Sequence, residues 1–161
     1  MQDQLSKFQV LQDAYSALEN AFKDSVLESK FEKELSVKVK MEDLLLIVRF
    51  LKSEKGFNAL NDIIGLDNLS NMAEGQKRFS IIYQLYKYPD YQRIRLVIDV
   101  NEGESVDSIT SVYNAANWAE REIFDMFGIN FIDHPNMRRI YMPDTFTGFP
   151  LRKDFPLEGN N

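Results

Sequence analysis

Cysteine is absent from this chain of 161 residues, and histidine occurs once, at His134. Without cysteine the chain forms no disulfide, has no thiol nucleophile and cannot hold a cysteine-ligated iron–sulfur cluster. A single histidine excludes multi-histidine zinc sites unless carboxylates supply nearly all the ligands. We therefore expect no cysteine-ligated cluster and no self-sufficient metal centre in this chain.

Long apolar runs are also missing. The longest covers residues 44–48, ends at Arg49 and falls far short of the ~20 residues that cross a bilayer. The polar residues 1–7 lack the basic start and apolar stretch of a secretion signal. The sequence predicts a protein that faces the cytoplasm and has no transmembrane segment.

Positive charge is in deficit, with 19 lysines and arginines against 25 aspartates and glutamates and a net charge of −6. A protein that follows a nucleic-acid backbone needs a positive surface to release counterions, so nucleic acid is an unexpected partner. The chain is 44% hydrophobic and 27% charged, which is typical of one compact domain. A protein or small-molecule partner is favoured.

Helix and strand periodicities alternate in the first part of the chain. Residues 5–22 place apolar side chains every three or four positions and predict an amphipathic helix, which we assign to an N-terminal region of residues 1–30. Residues 35–39 alternate apolar and polar side chains and predict a strand. Residues 41–52 predict a second helix, which Gly56 ends.

The middle of the chain predicts a sheet. Residues 57–64 favour a strand, and residues 79–85 and 94–100 alternate as in a long β-hairpin around residues 88–91. The order helix, strand, helix, strand, strand, strand predicts an α+β fold, in which an antiparallel sheet carries helices on one face, close to the ferredoxin-like topology. We assign this α+β domain to residues 31–133.

The last third of the chain carries four of the five prolines: Pro135, Pro143, Pro150 and Pro156. Because proline interrupts helices and central strands, residues 134–161 are expected to run extended over the domain or over a partner. We call this stretch the C-terminal segment.

A short helix is predicted between Asn117 and Gly128, where Asn117 and Glu120 have the spacing of a capping box. Its charged face is dense, and from composition alone we expect that face to be solvated. A catalytic carboxylate pair gains no support, because nothing in the sequence makes these groups converge on a pocket. The charged positions are Glu120, Arg121, Glu122 and Asp125.

An RNA-binding module is the alternative from another functional class, since ferredoxin-like sheets can stack bases on aromatics such as Tyr83 and Tyr86. Residues 78–83 lack the required glycine and aromatic spacing, and the net charge has the wrong sign. We therefore reject this alternative.

The run from Asn117 to Phe131, NWAEREIFDMFGINF, resembles the signature of the C-subunit family of NADH-quinone oxidoreductase, respiratory complex I. Residues 134–140 (HPNMRRI), 142–144 (MPD) and 150–157 (PLRKDFPL) are similar to the family's C-terminal pattern, in the same order. Many members carry histidine between the glycine and the proline where this chain has Phe149. No role of that histidine is carried over.

The resemblance implies a non-catalytic structural subunit in the peripheral arm of a proton-translocating NADH:quinone oxidoreductase, at the cytoplasmic face of the inner membrane. It implies docking on the hydrogenase-like large subunit of the complex (its D subunit) beside the quinone site, with the cluster-binding subunits B, I and G as further partners. FMN and iron–sulfur clusters would belong to partner subunits. The alternative is the equivalent subunit of a membrane-bound hydrogenase or F420 dehydrogenase complex.

Docking residues are expected in and beside the C-terminal segment, because arginine forks bind carboxylates with two hydrogen bonds and tolerate interface burial. Trp118 fits a partner anchor and a core position equally well. We expect His134 to bind a backbone carbonyl, and Arg121 or Arg138 to lie near the acids of the helix. Aspartates of the segment are expected to pair with arginines or to cap turns. The predicted docking set is Trp118, Glu120, Arg121, Glu122, Asp125, His134, Arg138, Arg139, Asp144, Arg152, Lys153 and Asp154.

Overall fold

The computed structural model describes residues 2–31 and 34–156, and for residues 2–8 it describes the backbone alone. The helices and strands are α1 (Gln2–Ala21), β1 (Val26–Phe31), β2 (Leu35–Val39), α2 (Leu44–Lys55), β3 (Ala59–Asp67), β4 (Phe79–Lys87), β5 (Gln92–Val100), β6 (Ser105–Asp107), α3 (Ala116–Phe127) and β7 (Asn130–Ile132). A five-stranded sheet has the order β1-β2-β5-β4-β3, and β6 and β7 form a separate parallel pair.

The α+β class is confirmed, but the sheet is mixed rather than wholly antiparallel. Strands β2 and β5 pair in parallel, whereas β1–β2, β3–β4 and β4–β5 are antiparallel. The connection through α2 leaves β2 and β3 pointing the same way. Two chain reversals, from β3 to β4 and from β4 to β5, then give β5 the direction of β2.

Strand β1 was not predicted from the sequence. It lies at the edge of the sheet, and most of its side chains are exposed, including Leu27 and Phe31. Its pairing with β2 shifts register between Val26 and Glu28. An edge strand without a buried face has no alternating apolar pattern, so periodicity gives no signal for it.

The hydrophobic core lies between the helices and one face of the sheet. Alternate residues of β4 and β5 are fully buried there, among them Tyr83 and Leu96, as the hairpin pattern predicted. Helix α1 contributes Leu18, which confirms an N-terminal helix with an apolar face, although the side chains of residues 5 and 8 lie outside the described part. No helix of the described residues is long and apolar enough to cross a membrane.

Helix α3 lies directly on β3, and Gly65 permits this contact. A Cβ atom at position 65 would lie 2.8 Å from Cε2 of Phe127, so a larger residue would push the helix away. Helix α3 ends at Gly128, whose φ of 75° is in the left-handed region that glycine adopts without strain. This confirms the predicted end of the helix and aims the chain toward β7 and the C-terminal segment.

Candidate docking platform

Asp125 fastens the C-terminal segment to α3. Its Oδ2 atom accepts hydrogen bonds from the backbone amides of Ile140 (3.0 Å), Tyr141 (2.7 Å) and Met142 (3.0 Å). Its Oδ1 atom pairs with Nη1 of Arg139 at 2.8 Å, and the carboxylate has no exposed surface. Burial raises the pKa of Asp125, but these hydrogen bonds outweigh burial, so the pKa lies below its ordinary value.

Arg139 and Arg152 both lie near the ring of Phe149. Their guanidinium carbons lie 5.3 Å and 4.6 Å from the ring centroid, within the range of cation–π attraction. Arg139 also donates to the carbonyl of Gly148 at 2.9 Å. A Cβ atom on Gly128 would lie 2.5 Å from the Phe149 ring, so this glycine is needed for the close approach as well as for its backbone conformation.

A second cluster ties the end of the segment to the sheet. Arg78 pairs with Asp67 at 3.0 Å, with Glu102 at 2.8 Å and with Asp154 at 2.7 Å. The hydrogen bond to Asp67 is the largest of several that raise the pKa of Arg78. The backbone amide of Lys153 donates to Asp67 Oδ2 at 2.9 Å. Asp154 was predicted to pair with a neighbouring arginine or to cap a turn; it pairs with an arginine, but with Arg78, which lies 76 residues away in the sequence.

Arg152 joins the two clusters. Its Nε atom donates to the carbonyl of Phe127 at 2.6 Å, and its Nη1 atom pairs with Glu102. Sequence reasoning missed Asp67, Arg78 and Glu102, because these residues lie at strand ends and in a turn, far from the C-terminal segment in sequence. No motif marks them.

Glu120 corrects two predictions. Helix α3 begins after Ala115 without a side-chain cap, so the capping box is wrong. Glu120 is completely buried, and its oxygens accept hydrogen bonds from Ser108 Oγ (2.6 Å) and from the backbone amide of Ile109 (2.8 Å). Burial raises its pKa to about 7, although both hydrogen bonds oppose the rise. The prediction that the charged face of α3 is solvated is therefore wrong at Glu120 and at Asp125.

The arginines near these acids also differ from expectation. Asp125 pairs with Arg139, not with Arg121 or Arg138, and Glu120 pairs with none of the described cations. Arg121 is buried and donates to the carbonyls of Arg138 (3.1 Å) and Arg139 (3.4 Å). Arg121 thus supports the backbone of the C-terminal segment, and the path of that backbone brings Arg139 to the Asp125 carboxylate.

Trp118 is 65% exposed, and the Arg121 guanidinium lies 4.8 Å from the centroid of its ring. A buried core position is therefore excluded for this tryptophan. Stacking on one side holds the indole in place while its other surface faces solvent. That arrangement suits an anchor for a partner.

His134 has the hydrogen bonds expected of a neutral loop histidine. Its Nδ1 atom accepts from the amide of Asn136 at 3.0 Å, so Nε2 carries the proton and donates to the carbonyl of Asn117 at 3.1 Å. Burial lowers the pKa of His134, the Asn117 carbonyl raises it, and the charge of Arg121 lowers it further; the result is a lowered pKa. The hydrogen bond from Asn136 to the ring spans Pro135 and orders the turn there.

The remaining members of the predicted set are exposed. Within the described part, the side chains of Glu122, Arg138, Asp144 and Lys153 form no ion pair or hydrogen bond, so Asp144 does not pair with an arginine. No cluster of three or more metal-binding side chains occurs among residues 2–31 and 34–156. The site is a protein surface formed by α3 and by the part of the C-terminal segment that packs on it, residues 134–156. We call this surface the docking platform.

Comparison with known proteins identifies the family. A family model for the 30 kDa subunit of respiratory-chain NADH dehydrogenase matches residues 37–161. The chain belongs to this family. A Geobacter metallireducens protein, named as the C subunit of NADH-quinone oxidoreductase, is 43% identical over 144 residues, which cover 88% of this chain and 87% of that protein. A Ruegeria pomeroyi protein of the same name is 45% identical over 128 residues, covering 78% of this chain and 62% of that protein.

Solved structures agree with this assignment. A trypsin-resistant fragment of Nqo5 superimposes with a TM-score of 0.66 at 30% identity, covering 80% of this chain and 96% of the fragment. A chain of an archaeal membrane-bound sulfane sulfur reductase superimposes with a TM-score of 0.75 over 91% of this chain and 85% of that one. At 18% identity the second likeness shows the fold alone. The resemblance to the C-subunit family of NADH-quinone oxidoreductase is confirmed.

Proposed function

We propose that this chain is a non-catalytic docking subunit in the peripheral arm of a proton-translocating NADH:quinone oxidoreductase. It binds the hydrogenase-like large subunit, the D subunit of that complex, beside the quinone site at the cytoplasmic face of the inner membrane. The observation that supports this proposal is the C-terminal segment, which charged groups of α3 and the sheet hold in one shape while Tyr141 and Leu151 stay exposed.

The shape of the segment lowers the cost of binding. The segment is already held on α3 in the free chain, because its backbone amides donate to Asp125 and its Arg139 and Arg152 side chains donate to Asp125 and to the Phe127 carbonyl. Less conformational entropy is therefore lost when a partner binds. The carboxylates of Glu120 and Asp125 and the guanidinium groups of Arg121, Arg139 and Arg152 form their hydrogen bonds within the chain. Glu120, Arg121, Asp125, Arg139 and Arg152 therefore position the platform rather than touch the partner.

Direct contacts come from the exposed members of the platform. Trp118 and Tyr141 are 65% and 61% exposed, and Leu151 is also exposed. Tryptophan and tyrosine are enriched among interface residues that carry much of the binding energy. Arg138 and Lys153 supply free cations that match carboxylates on a partner surface.

The redox groups belong to other subunits in this proposal. A chain without cysteine holds no cysteine-ligated cluster, so the iron–sulfur clusters lie in partner subunits, including B, I and G. The resemblance to the family places FMN in a partner subunit as well. The division into an N-terminal helix (1–30), an α+β domain (31–133) and a docking segment (134–161) is part of the same proposal. The purified chain should be colourless and inactive.

The test is affinity purification of the tagged chain from gently solubilised membranes, with mass spectrometry of the eluate and an assay of NADH oxidation by quinone. Recovery of a hydrogenase-like large subunit with NADH:quinone activity supports the proposal. Nickel–iron hydrogenase or F420 dehydrogenase partners without NADH oxidation would transfer the chain to a sister complex. Elution of the chain alone would contradict docking.

A further inference from the structure

Glu120 is a buried carboxyl group without a charged partner. It has no exposed surface, and its hydrogen bonds come from the neutral Ser108 hydroxyl and Ile109 amide. The neighbouring cation, Arg121, directs its guanidinium to backbone carbonyls of the C-terminal segment. A carboxyl group in such surroundings is costly to ionise, so the protonated form is favoured.

The groups that interact with Glu120 from the turn before α3 and from β4 are neutral. Strand β4 contributes Tyr83, whose hydroxyl is buried without a hydrogen-bond partner and whose pKa is raised by burial and by the charge of Glu120. The turn before α3 contributes Ser108 and Thr110, and the Tyr113 hydroxyl there donates to the carbonyl of Phe57. On α3 itself, Asp125 is neutralised by Arg139 and Glu122 faces solvent.

A chain of hydroxyl groups leads from Glu120 toward the surface. Ser108 Oγ lies 2.6 Å from Glu120 Oε2 and 2.7 Å from Thr110 Oγ1. Thr110 lines an open depression of about 350 Å³, which Asp133 also lines. Both oxygen–oxygen distances are those of strong hydroxyl hydrogen bonds, and each hydroxyl can donate in either direction.

We propose that Glu120 is a reversible proton-binding site, filled from the depression through the hydroxyls of Thr110 and Ser108. In the ionised state Thr110 donates to Ser108, and Ser108 donates to Glu120. A proton that reaches Thr110 Oγ1 displaces the proton of that hydroxyl to Ser108, and the Ser108 proton moves to Glu120 Oε2. One proton enters, both hydroxyls remain intact, and the direction of each hydrogen bond reverses.

Proton binding stabilises the fold around the turn that leads into α3. Burial raises the pKa of Glu120 from 4.5 to about 7, so the folded chain binds the proton more tightly than the unfolded chain does. The resulting stabilisation is fully present below pH 4.5 and is lost as the pH rises through about 7. Proton occupancy therefore changes across the neutral range.

The first measurement is a carbon-13 NMR titration of the glutamate carboxyl groups in the full chain, compared with Glu120→Gln and Glu122→Gln. We expect one carboxyl signal to titrate near neutral pH, to vanish in Glu120→Gln and to persist in Glu122→Gln. Glu122 is the control position because its carboxylate is exposed on the same helix. If the Glu120 signal titrates with the exposed glutamates, the proposal is overturned.

Urea unfolding at several pH values provides a second readout. The wild type and Glu122→Gln should lose stability between about pH 5 and pH 8, whereas Glu120→Gln should lose none, because a glutamine amide imitates the protonated acid. Equal pH slopes in all three proteins would overturn the proposal.

A third variant, Thr110→Val, tests the route of the proton. It should leave the pKa of Glu120 nearly unchanged but slow proton exchange enough to split the carboxyl signal of Glu120 in two. Unslowed exchange in a folded Thr110→Val protein would exclude that path.

Discussion

The sheet domain and the C-terminal segment are held by different kinds of interaction. The sheet presents rows of fully buried apolar side chains to the helices, and burial of this kind has no strict direction. Residues 134–156 contain no helix or strand and are fixed by carboxylates and guanidinium groups at a few points. We therefore expect the sheet domain to be destabilised mainly by the loss of apolar volume, and the C-terminal segment to be released by the loss of single charges.

Leu96→Ala should have the largest effect. Leu96 lies in the centre of β5 with no exposed surface, so its truncation should lower the free energy of unfolding by about 2 to 5 kcal/mol. Urea unfolding followed by circular dichroism measures this loss. Leu46→Ala, at a 55% exposed position of α2, is the control and should change stability by about 0.5 kcal/mol or less. Equal losses in both variants would contradict the description of the core.

Asp125→Asn should release the segment and leave the sheet folded. The amide carries no charge for Arg139, and its NH2 group cannot accept from the three backbone donors, so we expect a local loss of roughly 3 kcal/mol. Hydrogen exchange should accelerate about a hundredfold at the amides of residues 140–142 and stay unchanged in β5. The same acceleration in both places would mean that the two regions unfold together.

Acid should release the segment through the same groups, with a smaller effect because some carboxylates stay ionised near pH 3. The pKa values of Asp67, Asp125 and Asp154 lie below the ordinary 3.8, so their stabilisation is present above pH 3.8 and is lost as the pH falls through the folded values. NMR should show the amides of residues 140–142 leaving their native shifts before those of β5. The reverse order would contradict the comparison.

Arg78→Lys should have the smallest effect. Lysine keeps the charge but cannot pair with Asp67, Glu102 and Asp154 at once, so we expect a loss of about 1 kcal/mol at the end of the segment. Faster exchange of the Lys153 amide, which donates to Asp67, measures this loss. Arg93→Lys is the control, since Arg93 lies on the exposed face of the sheet and pairs with Glu34. An unchanged Lys153 amide would exclude this role of Arg78.

Periodicity predicted the elements with one buried face. Strands β4 and β5 and helix α2 were predicted because their apolar residues repeat at the period of the element. Strand β1 escaped prediction because it has no buried face. The parallel pairing of β2 with β5 is set by the order of the strands in the sheet, which periodicity does not report.

The sequence marked the region that we propose as the docking platform, but it did not predict the contacts within that region. The family signature marked α3 and the C-terminal segment. Glu120 and Asp125 were expected at the surface because charged helix positions are usually solvated, and their partners lie 11 to 17 residues away along the chain. Which arginine turns toward Asp125 depends on the path of an irregular segment, for which sequence spacing gives no rule.

The most direct test of the docking proposal is co-purification with the large subunit when the native chain is replaced by Trp118→Ala/Tyr141→Ala. Both side chains are exposed, so folding should be unchanged by thermal melting while recovery of the large subunit is lost. Tyr88→Ala, an equally exposed tyrosine in the β4–β5 turn, is the control and should retain the partner. If the folded double variant recovered as much large subunit as the wild-type chain does, docking through this platform would be contradicted.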